Sequence, residues 1–176
     1  MLPAACLPAG TGTDAVDAME EREKKVLASL QRRCSAMECC PRDIGRKALK
    51  MLDGDSEAAG RVVASLMEEN YLNELRYASA FAREKASLSG WGPVKIAYAL
   101  AGKGISKQAA DEALAAVDAD AAEGRMLKTL EAKYRTLEGD PQLRLKMLKF
   151  ALGRGYEYEE AAAAVDKILK TNGTDI

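Results

Sequence analysis

The chain has 176 residues, about one domain's worth, with 48% apolar, 30% charged and only 5% aromatic residues. Its formal charge is −1, so a polyanion-binding role for the whole molecule is excluded and any basic surface must be local. Histidine is absent, which removes Ser-His-Asp and Cys-His nucleophile activation.

The first segment, "MLPAACLPAGTG", has neither a basic leader region nor an apolar stretch long enough for a signal peptide, so residues 1–18 are expected to be a disordered tail. No run approaches the roughly 20 apolar residues that span a bilayer, so no membrane association is expected. Cys6, Cys34, Cys39 and Cys40 lack a disulfide framework's spacing and point to free thiols in a cytoplasmic protein. Zinc would require four close ligands, and C-x4-C-C offers three at an awkward spacing. No cofactor or metal is expected.

Ala, Leu, Lys, Glu and Arg dominate, which favours helix throughout. A helical pattern over about 17–34 is followed by "PRDIGRKALKMLDG", which Pro41 opens and Gly54 closes. A further helix follows at about 56–70, with Ser56 at the capping position. The second triple runs 74–88, then "PVKIAYALAGKG" from Pro93 to Gly104, then 106–117. Asn73 and Ser106 are its expected caps. The third runs 121–137, then "PQLRLKMLKFALGRG" from Pro141 to Gly155, then 157–170. A period of about 50 residues relates the triples and predicts three tandem three-helix repeats forming an elongated, curved all-α array. Repeat boundaries are expected at 19–71, 72–119 and 120–171, with a short tail at 172–176. In the helix from Glu74, Tyr77, Phe81 and Leu88 form one apolar stripe and Leu75, Ala78 and Ala82 another, so the aromatics are expected in the core.

The stretch "GWGPVKIAYALAGKGIS" resembles a phosphate-cradling loop only superficially. A Walker loop needs G-x-x-x-x-G-K-[ST] between a strand and a helix; here Gly104 follows Lys103 and Ala97 stands where the first glycine belongs. The adjacent glutamates at 20–21, 68–69 and 159–160 diverge on a helix and read as solvated faces, so no catalytic residues are expected.

Cations concentrate in the middle helix of each triple. The first has Arg42, Arg46, Lys47 and Lys50 against Asp43; the second has Lys95 and Lys103 with no acid; the third has Arg144, Lys146, Lys149 and Arg154 with no acid. Arg42, Arg46 and Lys50 recur at i, i+4, i+8, opposite Ile44, Met51 and Leu52. Such a row is either an ordinary solvated face or, with stacked repeats, a basic stripe that meets a polyanion.

The residues "YLNELRYASAFAREK" and "GWGPVKIAYALAGKGIS" resemble the central signature of the RecX family of recombinase regulators. The third triple adds Lys133-Tyr134, Lys146, Phe150 and Arg154-Gly155-Tyr156 to the match. The resemblance spans about residues 25–170 and is weaker in the first triple, where Cys39-Cys40-Pro41 departs from it. It implies a non-enzymatic, monomeric protein that binds a RecA-type recombinase filament and restrains its ATPase and strand exchange. Contacts to single- and double-stranded DNA would be weak and non-specific. Arg42, Arg46, Lys50, Lys95, Lys103, Arg144, Lys146, Lys149 and Arg154 are the candidate contact residues. Arg76 and Lys85 match the signature and could equally brace neighbouring helices. A helical-repeat scaffold that binds a protein partner without nucleic acid is the alternative.

Overall fold

The structure, a computed structural model, describes the backbone of residues 13–173 and side chains from residue 21. Nine α-helices and no strands occur among the described residues. They fall into two compact units, which divide after Asn73.

The first unit holds α1 (Thr13–Ala36), α2 (Pro41–Met51) and α3 (Ser56–Glu68), each packed on the other two. α1 turns Val26, Leu30 and Cys34 inward at four-residue spacing. They meet Ile44 and Ala48 of α2, and Ala58, Val62 and Leu66 of α3. Leu30 and Leu66 are fully buried, so truncating either to alanine would cost about 2–5 kcal/mol. Pro41 occupies the first turn of α2 as expected. The cap of α3 is Asp55 rather than Ser56: its carboxylate accepts the Glu57 and Ala58 amides at 3.0 Å each. An aspartate one residue upstream reaches both amides and leaves Ser56 as the first helical residue. Residues 13–18, expected in a tail, lie in α1; residues 1–12 and 174–176 of the two expected tails lie outside the described residues.

The second unit holds α4 (Glu74–Leu88), α5 (Pro93–Gly102), α6 (Lys107–Ala115), α7 (Ala119–Leu137), α8 (Leu143–Gly153) and α9 (Tyr158–Thr171). Within each successive triple the three helices again contact one another. Ala78, Ala82, Ile96, Leu100 and Ala113 form one core; Leu130, Met147, Ala161 and Val165 form another. Ser106 caps α6 as expected, accepting the Ala109 amide. Leu88 does not join the core and is 82% exposed. α4 has 15 residues and its partner α6 only 9, so the end of α4 outruns the helix it packs on by several ångströms. Pro141 does not open α8, which starts at Leu143. Asp140 builds a turn there instead, its carboxylate accepting the Gln142 amide at 2.8 Å and its carbonyl the Leu143 amide at 3.0 Å.

Candidate functional site

On α2 the helical period does what the sequence requires. Ile44 and Ala48 are buried, while Arg42, Arg46, Lys47 and Lys50 are exposed on the other faces. Arg46 pairs with Asp43 one turn back; both ends are solvent-accessible, so water and salt compete for that pair. Leu49 is partly exposed among these cations.

The second unit uses its cations differently. The N-terminus of α5 abuts the C-terminus of α8. The Gly92 amide donates to the Arg154 carbonyl at 2.8 Å and the Val94 amide to the Gly155 carbonyl at 3.1 Å. Lys95 Nζ donates to the Gly153 carbonyl at 3.4 Å. Three consecutive carbonyls that α8 leaves unpaired are thus taken up by the start of α5, and the positive end of one helix dipole meets the negative end of the other. The approach is close enough to require two glycines. A Cβ on Gly92 would sit 2.3 Å from the Gly155 oxygen, and a Cβ on Gly155 would sit 2.3 Å from the Lys95 Cβ. Gly155 also has φ +87°, a left-handed conformation that glycine adopts without strain.

Side chains fasten the same junction. Arg154 Nη1 donates to the Ser89 carbonyl at 2.6 Å and its guanidinium lies 5.1 Å from the Phe150 ring. Lys133 lies over the same ring at 5.5 Å. Tyr156 donates its hydroxyl to the Gly90 carbonyl at 3.1 Å; burial raises its phenol pKa, which keeps the donor protonated. Lys95 sits 4.7 Å from the Trp91 ring. Lys85 stands between Phe81 and Trp91, at 5.4 and 5.7 Å, and pairs with Glu84 at 2.8 Å. Lys103, the C-cap of α5, lies 5.9 Å from the Tyr77 ring. These are cation–π contacts on half-buried rings. Lys95 and Arg154 are held in a junction between helices by carbonyls and aromatic faces. Tyr77, Phe81 and Trp91 pack at the edge of their core with cations over them.

The remaining candidates divide again. Arg144 makes two hydrogen bonds to Asp166, at 2.9 and 3.2 Å, and this contact holds the Asp166 carboxyl below its ordinary pKa. Lys146 pairs with Asp140, whose pKa is lowered by Lys146 first and by the Gln142 amide second. Lys149 is exposed with no carboxylate within ion-pair distance among the described residues. Arg76 is half-buried in the first turns of α4.

The glycines of "GWGPVKIAYALAGKGIS" therefore form no phosphate cradle. Pro93–Gly102 is helical, Lys103 caps it and Gly104 turns the chain at φ +76°. Cys34, Cys39 and Cys40 are buried, and none of them forms a disulfide among the described residues. Burial, then Cys39, pushes the Cys34 thiol up to about 11. No group of three metal-ligating side chains occurs among the described residues, and none of their helices is long and apolar enough to cross a membrane. Sequence reasoning missed the Gly92–Gly155 contact and the place of Lys133 over Phe150. The paired "GWG" and "GRG" motifs carried the signal for the first.

The model of the RecX second three-helix domain matches residues 73–114, which cover α4, α5 and most of α6. A protein named Regulatory protein RecX from Clostridium tetani is 28% identical over 123 residues, 68% of this chain and 56% of its own length. One of the same name from Clostridium botulinum is 28% identical over 161 residues, 84% of this chain and 75% of its own. The chain resembles the RecX family. Streptococcus pneumoniae has a further relative of that name, 29% identical over 70% of this chain and 48% of its own length. The chain thus spans only about half the length of some family members it matches. A crystal structure of regulatory protein RecX superposes with a TM-score of 0.75 at 21% identity, covering 91% of this chain and 81% of that one. RecX from Lactobacillus salivarius superposes with a TM-score of 0.73 at 18% identity, covering 85% and 97%. These likenesses establish an all-α fold shared with the family. The family's relatives are named as regulatory proteins, not as enzymes.

Proposed function

We infer that this chain regulates a RecA-type recombinase filament on DNA, lowering its ATPase and strand-exchange activity without chemistry of its own. The exposed cationic row of α2, Arg42, Arg46 and Lys50 opposite a buried apolar face, is the observation that carries the polyanion-binding part of this reading. Lys149 of α8 extends the set of accessible cations. Lys95 and Arg154 brace the second unit by holding α5 on α8. Contacts to single- and double-stranded DNA are weak and sequence-independent, because cations on a helix face grip phosphates without reading base edges. The chain acts as a monomer in a reducing cytoplasm, where its buried thiols form no disulfide.

The test is recombinase ATPase on single-stranded DNA, titrated with the full chain. A concentration-dependent fall supports the reading. Unchanged turnover across a wide range of concentration overturns it.

A further inference from the structure

An apolar groove of about 570 Å³ opens within the second unit, bounded by α5 and α6 on one side and by α7 and α9 on the other. Trp91, Tyr156 and Met126 line it, and Ala122, Ala163 and Ala164 present only methyl groups to it. Its volume falls in the range that takes a small molecule or a few side chains. None of the chain's described side chains fills it. Acidic residues outnumber basic ones at its mouth, and Lys85 and Lys95 lie against the Trp91 ring. Glu123 and Glu160 stand at the rim, and the rim's one lysine, Lys167, is paired with Glu123 at 3.9 Å. The helices that supply the walls add Asp118 and Asp120 at the start of α7, and Glu157 and Glu159 at the start of α9, all exposed. Such a mouth repels nucleic acid and any acidic segment, and attracts a cation beside an apolar group.

We propose that this groove is a second binding site, for a short protein segment that places one or two large apolar side chains between lysines or arginines. The apolar anchor enters between Trp91 and the alanines, and the flanking cations meet Glu123 and Glu160. The site does not depend on the polyanion-binding reading of α2. It lets one molecule hold a basic partner segment and a polyanion through separate surfaces.

Fluorescence anisotropy of the full chain with a dansylated Lys-Lys-Leu-Phe-Lys-Lys peptide tests it. Saturable binding is expected, with Glu-Glu-Leu-Phe-Glu-Glu at least about tenfold weaker, a difference of about 1.4 kcal/mol. Ala163→Trp puts an indole into the groove from an exposed position and should weaken the basic peptide about tenfold or more. Should that variant not fold by circular dichroism, the double variant Glu123→Lys, Glu160→Lys decides, because both side chains are exposed. It should lose the basic peptide and gain the acidic one. Equal binding of the two peptides, no saturable binding of either, or binding indifferent to the charge reversal would overturn the site. The recombinase ATPase result is read separately, so failure here leaves that reading standing.

Discussion

Gly92 and Gly155 approach so closely that neither can carry a side chain: a methyl on Gly92 would lie 2.3 Å from the Gly155 carbonyl oxygen and 2.4 Å from the Tyr156 nitrogen. The obstacle is backbone, which cannot swing aside as a long side chain can. Gly92→Ala should therefore destabilise the protein by roughly 3 kcal/mol or more, a size reserved for defects of this kind. Gly60→Ala is the matched control. Gly60 lies inside α3 with nothing near its would-be Cβ, so alanine should stabilise by about 1 kcal/mol. Urea denaturation of the two variants checks both signs.

The candidate cations should separate by experiment into gripping and bracing groups. Reversing Arg46 and Lys50 to glutamate should weaken filament or single-stranded DNA binding and leave the melting curve nearly unchanged. Each lost phosphate contact should flatten the logarithmic salt slope by about 0.7–0.9. An unaltered slope would remove the assignment of α2.

Arg154→Ala should do the reverse. It removes the hydrogen bond to the Ser89 carbonyl and the contact with Phe150, and leaves a half-buried acceptor unpaired. A loss of roughly 1–3 kcal/mol is expected. Arg154→Lys should recover only part of it, since an ammonium lacks the planar fork. Thermal melting of the two variants provides the comparison; equal stability of wild type and Arg154→Ala would contradict the bracing role.

Acid should act through Asp166 and Asp140. Their partners, Arg144 and Lys146, depress both folded-state values below the unfolded ones. The stability they add is thus present above the unfolded carboxylate pKa of about 3.9 and is lost as pH falls through the lower folded values. Asp166→Asn with Asp140→Asn should flatten that acid-side decline and leave the profile's shape near neutrality unchanged. Melting temperature against pH, from neutrality downward, shows whether it does.

Cys34 should resist alkylation in the folded protein at mildly alkaline pH, because its thiol is buried and ionises only near 11. Iodoacetamide labelling read by mass spectrometry should find it unmodified until denaturant is added. Rapid labelling of Cys34 in the folded protein would show that α1 and the α1–α2 corner open readily.

Much of the architecture was written in local signals. Pro41 and Pro93 open helices, Gly54, Gly104 and Gly155 follow helices with positive φ, and the apolar periodicity places Ile44, Ala78 and Ala82 inside. The errors share a cause. Ser56, Pro141 and Leu88 were judged by residue type and period alone, whereas Asp55, Asp140 and the short length of α6 decide those places. Charge was the least legible. A lysine in sequence looks the same whether water, a carboxylate or an aromatic ring receives it. Lys149, Lys146 and Lys95 sit on similar helices and meet those three different fates. Which partner each one meets is decided by the turns before the helices: Lys146 reaches Asp140 six residues back, and Lys95 reaches Trp91 four residues back.

The abutment of α5 on α8 also governs what truncation would do. In the intact chain the amides of Gly92 and Val94 are plugged by the carbonyls of Arg154 and Gly155, so the start of α5 offers an anion nothing. A fragment ending before α7 would unplug it. The bare amides and the helix dipole would then form a phosphate-attracting end that the longer chain lacks. Anion binding seen in such a fragment would be a property of the cut and not of the protein.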